Sequence, residues 1–321
     1  MSYYQHTTEL DHCQVLSDKS PTGRERPWRK FKLLSSYYTN VYMSVDEKKA
    51  ERLSRCGDFL VFRKEVNGLK LHSANFCRVR LCPICSWRRA LKTYGQVRKI
   101  VGALMHDYSF LFLTLTIPNC ASSELAQSLD TLTQGFNRLM KYKAVTKAVR
   151  GFYRAIEVTH NLEADTFHPH IHAILAVKNS YFTSRDYIKQ ADWLDFWRRA
   201  TKRYDIKIVD VRKVKDIGKG IDGICAEVSK YTVKPSEVIC FDDWDLTVET
   251  VRVLDKALDK RRFIGFGGCF AEAHKKLNLD DTETGDLVHV ETTPQEAEKD
   301  IELIAYTWHS GYCQYVKGVR K

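Results

Sequence analysis

From Cys85 onwards, Trp87, Leu91, Tyr94, Val97, Val101 and Leu104 recur at spacings of three and four, with Arg88, Arg89, Lys92, Arg98 and Lys99 between them. That period predicts a helix with one buried and one basic face. Residues 109–117 are aliphatic and aromatic with interleaved threonines and close on Pro118 and Asn119, which predicts a buried strand. Leu125, Leu129, Leu132, Phe136 and Leu139 mark a second amphipathic helix, expected to be capped by Ser122 or Ser123 with Glu124 in its first turn. Two strand candidates, 152–159 and 170–177, flank a polar connection, and strands joined in this way pair antiparallel as a hairpin.

A third helix is signalled by Trp193, Phe196, Trp197, Ala200 and Tyr204, followed by a strand over 206–211 and a helix over 222–234 stopped by Pro235. The tail predicts a helix over 246–258, a glycine-bearing turn at Gly265–Gly268, an acidic segment over 280–300 and a final strand over 305–316. Helices alternate with strands, yet the hairpin argues against an all-parallel sheet. The expected class is α+β, an antiparallel sheet with helices on its faces. Organisation along the chain suggests a flexible polar arm over 1–30, a basic Cys-rich region over 31–105, a core over 106–240 and a C-terminal accessory region over 241–321.

Composition adds a few bounds. At 321 residues with 44% hydrophobic content, the chain has ample material for packed cores. Its apolar runs are too short to cross a bilayer and its first residues lack an apolar signal core, so a cytoplasmic protein without a membrane partner is expected. The ten cysteines should then be mostly reduced, and a close cluster of them points to metal. Net charge is +11, but residues 21–100 alone hold 19 Lys and Arg against 6 Asp and Glu. Cations concentrated in this way bind polyanions, because neutralised phosphates release condensed counterions. Arg78, Arg80, Arg88, Arg89 and Lys92, together with Lys230 further on, are the expected DNA contacts.

Three constellations carry candidate chemistry. In Cys77-x4-Cys82-Pro-Ile-Cys85, a Cys-x2-Cys pair sets two thiolates on one turn and Cys77 adds a third, which suits structural zinc. The fourth ligand is Cys56 or His72, with Cys56 preferred. In His168-Pro-His170-Ile-His172, strand parity turns His170 and His172 to one side, with His168 at the strand entrance. Glu157 on the partner strand would complete a two-His, one-carboxylate site for Mg²⁺, Mn²⁺ or a similar ion. The third is Glu227-Val-Ser-Lys230-Tyr231-Thr-Val-Lys234, where helical spacing makes Glu227 and Tyr231 neighbours with Lys234 one turn along. Read alone, it is an ordinary amphipathic helix with Glu and Lys salt bridges and a half-buried Tyr.

Together these segments resemble the rolling-circle replication initiators (Rep proteins) of small plasmids typical of Gram-positive bacteria, within the HUH endonuclease superfamily. The family's Phe-Leu-Thr-Leu-Thr strand followed by Pro-Asn looks like residues 112–119, and its His-hydrophobic-His motif looks like His170-Ile171-His172. Its tyrosine motif looks like Glu227, Tyr231 and Lys234, and residues 76–89 resemble its cysteine-rich segment. The likeness covers about residues 50–275. It implies an HUH core with the nicking site within 106–240. A metal on His170, His172 and Glu157 would polarise the scissile origin phosphate while Tyr231 attacks and forms a 5′-phosphotyrosyl link. Glu227 then matches the residue that activates water at termination, and a host helicase and polymerase are the implied partners. Competing readings are an HUH transposase or relaxase, and a zinc-containing nucleic-acid-binding regulator without catalysis. The cysteine segment argues against the first pair, and a tyrosine that follows the His motif argues against a relaxase.

Overall fold

The computed structural model describes residues 14–19, 23, 25–66, 68–214, 219–229, 233–234, 237–290 and 302–318. By internal contacts the chain divides into two units, one of residues 1–88 with 287–321 and one of residues 89–286. These bounds differ from the breaks at 105 and 240 suggested by composition, because strands from the tail return to sheets begun much earlier.

The first unit holds α1 (Trp28–Met43), α2 (Glu47–Ser54), β1 (Phe59–Glu65), β2 (Gly68–Ala74) and, from the tail, β8 (Leu303–His309) and β9 (Gln314–Lys317). They form an antiparallel sheet in the order β2-β1-β8-β9. The final strand expected over 305–316 is therefore a hairpin of two strands. α1 buries a stripe at helical spacing that includes Trp28, Tyr38, Val41 and Tyr42, and Trp28 meets Trp87 edge to face with ring centroids 4.7 Å apart. Asp46 caps α2 by accepting from the Lys49 N–H at 3.0 Å. Tyr315 is buried, and its hydroxyl donates to the Gly57 carbonyl at 2.7 Å, tying the last strand to the loop before β1. The arm expected over 1–30 is ordered where described: Val15 bridges Val316, Leu16 is buried, and α1 starts at Trp28. Its residues 1–13 lie outside the described residues, as do residues 291–300 of the acidic segment.

α3 (Pro83–Leu104) begins in the first unit and runs into the second. There follow β3 (Tyr108–Thr116), α4 (Leu125–Leu139), α5 (Lys143–Ala148), β4 (Val149–Asn161), β5 (Thr166–Lys178), α6 (Gln190–Thr201), β6 (Val209–Lys213), α7 (Lys219–Val228), α8 (Trp244–Leu258), β7 (Ile264–Gly268) and α9 (Cys269–Lys276). The five strands form one antiparallel sheet in the order β6-β3-β5-β4-β7. Both of its faces are covered. On one, Val97, Val101, Cys225, Val228 and Phe270 from α3, α7 and α9 pack with Phe112, Tyr153 and Ile174. On the other, Phe136 of α4 meets Phe152 at 5.0 Å, and the Trp197 indole N–H of α6 donates to the Thr116 carbonyl at 2.7 Å. The protein is thus mixed α/β with antiparallel sheets, and among the described residues no helix is long and apolar enough to cross a membrane.

Three local expectations change. α4 takes no side-chain cap from Ser122 or Ser123; Glu124 instead reaches back to accept from the Ala121 N–H at 3.3 Å. α7 ends at Val228 rather than at 234, because its last carbonyls find other donors: Ser229 Oγ donates to the Cys225 carbonyl at 2.5 Å and Tyr153 Oη to that of Val228 at 2.9 Å. Gly265–Gly268, expected as a turn, is most of β7. Glycines are needed where this strand meets β4: a Cβ on Gly151 would sit 2.6 Å from the Cys269 nitrogen, and one on Gly268, whose φ is +54°, would strike the Arg150 carbonyl. Gly268→Ala is accordingly expected to lower unfolding stability by about 2–4 kcal/mol in urea titration, through strain and lost β4–β7 pairing.

Candidate functional site

Strand parity brings the first set of residues together. In β5, His170 stands opposite Glu157 of β4 and Thr116 of β3, while His172 stands opposite Ala155 and Thr114. The small Ala155 leaves room beside His172, so both imidazoles reach the one carboxylate. Nε2 of His170 lies 3.5 Å and Nε2 of His172 3.4 Å from Glu157 Oε2. The three side chains are almost buried, and their nearest donor atoms all lie within 4.8 Å of one another, as a metal site requires. His168 is outside that group; its contribution is its backbone carbonyl, 3.1 Å from His170 Nδ1. Phe112 stacks on the His172 ring with centroids 5.5 Å apart.

The segment after α7 returns to the same place. Lys234 lies off the helix, yet its Nζ is 3.4 Å from Glu157 Oε1 and 2.9 Å from Glu237 Oε1. Burial alone would push the Glu157 carboxyl up, but hydrogen bonding to His170 and His172 and the charges of His170 and Lys234 hold it well below the usual carboxylate range. Lys234 is raised above its ordinary value, first by its hydrogen bond to Glu237 and then by Glu157. Glu237 escaped the sequence reading; the spacing of three from Lys234 is the signal that points to it. Its second carboxylate oxygen is buried and has no hydrogen-bond partner among the described residues. Glu227 is half-buried in the last turn of α7. Tyr231 and Lys230 lie outside the described residues, but Val228 and Lys234, three positions either side of Tyr231, are each held against β4, by Tyr153 and Glu157.

The cysteine cluster belongs to the first unit. Cys56, Cys77, Cys82 and Cys85 are all buried and converge, whereas His72 is exposed on β2. Sulfur separations are 3.6 Å for Cys56 to Cys85, 3.7 Å for Cys77 to Cys85 and 3.5 Å for Cys56 to Cys82. Four thiolates about 2.3 Å from a tetrahedral zinc stand about 3.8 Å apart, so the four sulfurs nearly outline such a shell. Backbone N–H groups of Cys77, Arg78 and Val79 point at the sulfurs of Cys56, Cys85 and Cys77 at 3.3–3.4 Å. That loop needs Arg78 at φ +59°. Burial holds the Cys82 thiol well above its ordinary value, and hydrogen bonding to Cys77 does the same for Cys56; a bound cation reverses that preference by stabilising thiolates. The group could hold a metal such as zinc.

The expected DNA-contacting cations divide. Arg78 is exposed, and Arg80 and Arg89 are half-buried. Arg88 and Lys92 are buried, contrary to their expected role. The Arg88 guanidinium donates to the carbonyls of Leu287 and Val288 at 2.9 and 2.7 Å and lies over the rings of Trp28 and Trp87. Lys92 pairs with Asp280 and donates to the Asp286 carbonyl at 2.8 Å. Both cations hold their own unit together and are not available to phosphates.

Comparison with known proteins places the chain. A family model described as replication protein (Rep_1) matches residues 68–316. A protein rep of Bacillus amyloliquefaciens is 40% identical over 97% of this chain and 99% of its own length. One from Streptococcus pneumoniae serotype 2 is 39% identical over 91% of this chain and 92% of its own, and one from Lactiplantibacillus plantarum is 38% identical over 91% and 96%. No solved structure matches significantly. With a family model spanning most of its residues and relatives aligned nearly end to end, the chain belongs to the Rep_1 family of replication proteins, the plasmid Rep proteins that its motifs resemble.

Proposed function

We propose that this replication protein starts rolling-circle replication of a plasmid by nicking one origin strand through transesterification on Tyr231, within an HUH-type core formed by the five-stranded sheet. The observation that carries this reading is the convergence of His170 and His172 Nε2 on Glu157 Oε2 at 3.5 and 3.4 Å, with Lys234 of the tyrosine segment on the other carboxylate oxygen. Bonds of about 2.1 Å to a six- or four-coordinate cation put neighbouring donors about 3.0–3.4 Å apart, so the donor set fits Mg²⁺ or Mn²⁺ with positions left open. Such an ion, when bound, supplies Lewis-acid polarisation of the scissile phosphate.

Every other role falls to side chains. The Tyr231 phenol attacks phosphorus, the bond to the 3′ oxygen breaks, and that oxygen leaves as the 3′-OH primer with the proton that the phenol gives up. One ester replaces another, so rejoining needs no ATP. Lys234 brings positive charge against the phosphate oxygens, and Glu227 acts as the base for water when the link is resolved at termination. Arg78, Arg80, Arg89 and Lys230 contact the DNA backbone. The Cys56, Cys77, Cys82 and Cys85 group holds a structural zinc. A host helicase and polymerase extend from the nick in the cytoplasm.

Labelled single strands covering the origin of the encoding replicon, incubated with the protein and Mn²⁺, should yield a covalent adduct that peptide mapping assigns to Tyr231. Tyr231→Phe should abolish the adduct and leave DNA retention in a binding assay intact; an adduct at another tyrosine would reject the assignment. His170→Ala or His172→Ala should slow adduct formation about 100-fold or more, partly restored by excess Mn²⁺. Metal analysis should find one zinc per chain, and stripping it with a strong chelator should lower the melting temperature by about 10 °C. A folded, zinc-free chain with unchanged melting would exclude that role.

A further inference from the structure

The two imidazoles of the proposed metal site are held differently. His170 Nδ1 faces a backbone carbonyl, that of His168, at 3.1 Å. A carbonyl only accepts, so that nitrogen carries a hydrogen, and Nε2, which faces Glu157, is the nitrogen left to give up its own hydrogen and offer a lone pair to a cation. His172 Nδ1 faces instead the hydroxyl of Thr114, at 3.2 Å. Thr114 is the residue directly opposite His172 across the β3–β5 ladder, and its β-branched side chain is stiff about χ1. On its flat side the ring rests on Phe112. One hydroxyl thus decides how the ring's two nitrogens are used.

We infer that Thr114 is a positioning residue, whose hydroxyl accepts the Nδ1 hydrogen of His172 and so presents the Nε2 lone pair to a divalent cation. The inference rests on the proposed metal-binding role of Glu157, His170 and His172. Because a hydroxyl also donates, Thr114 can turn round when no cation is present and give its hydrogen to Nδ1. His172 Nε2 then donates to Glu157 Oε2, which lies 3.4 Å away. His170 is fixed as a ligand by its carbonyl, and His172 becomes one when the hydroxyl rotates. Removing the hydroxyl leaves the ring in place on Phe112 but without a partner that holds hydrogen on Nδ1.

The test uses the full chain without DNA, so that activity is not the readout. Mn²⁺ affinity is measured by calorimetry and by loss of the free Mn²⁺ resonance signal. In parallel, long-range ¹H–¹⁵N spectra in Mg²⁺ report which nitrogen of His172 carries hydrogen. Thr114→Val keeps the shape and removes the hydroxyl; it should weaken Mn²⁺ binding about 10–100-fold and take His172 out of the Nδ1–H form. Thr114→Ser should restore affinity to within about threefold of wild type and return the ring to that form. Melting temperatures of both variants establish that they fold. Wild-type affinity in a folded Thr114→Val chain, where His172→Ala loses it, would overturn the inference and leave the metal site standing. If the wild-type chain binds Mn²⁺ no better than a His170→Ala, His172→Ala double variant, the reading of the group as a metal site falls and takes this inference with it.

Discussion

The register of β4 against β5 governs the candidate site. Glu157 pairs with His170, and Ala155 with His172; a slip of one residue would turn the carboxylate to the opposite face of the sheet. That register is pinned at both levels. The connection closes tightly, with the Asn161 side-chain oxygen accepting from the N–H groups of Glu163 and Ala164, and Asp165 in the left-handed region. Alternate residues on the far face, Ile156 and Val158 opposite Ile171 and Pro169, are buried against helices and would have to surface if the strands slipped.

A charged group in such a sheet needs compensation, and here it is shared among neighbours. Glu157 stays ionised although nearly buried because its two oxygens face different partners, the imidazoles on one side and Lys234 on the other. Lys234 in turn lies between Glu157 and Glu237. This arrangement ties the position of a loop residue to the sheet. The hydroxyl of buried Tyr153 does the same for the end of α7 by taking the carbonyl of Val228. Both ends of the tyrosine segment are thereby fastened to β4, the strand that carries the carboxylate.

How much of this could be read in advance depends on the range of the interaction. The hairpin and the shared face of Glu157, His170 and His172 follow from parity and spacing, which are local in the chain. The local pattern predicts a helix running through Lys234, while the observed α7 stops at Val228, whose carbonyl is taken by Tyr153, 75 positions away, and Lys234 meets Glu157 from beyond the helix. Gly265–Gly268 carries the composition of a turn, and only the crowding against Arg150 and Gly151 explains glycines inside a strand. Arg88 and Lys92 sit on the face that periodicity marks as basic, but their partners are carbonyls and a carboxylate about 190–200 positions later, which no local pattern encodes.

The strand pairing of the first unit also sets an order of assembly during synthesis. Phe59 of β1 waits for Thr307 of β8, so its four-stranded sheet stays open until residues 303–317 have left the ribosome. Residues 89–286 emerge as one uninterrupted stretch before that, and their sheet is complete once β7 is out. The nascent chain therefore has its histidine-bearing sheet available to fold while β1 still lacks the strand that covers its edge, an exposed edge whose duration is set by translation speed.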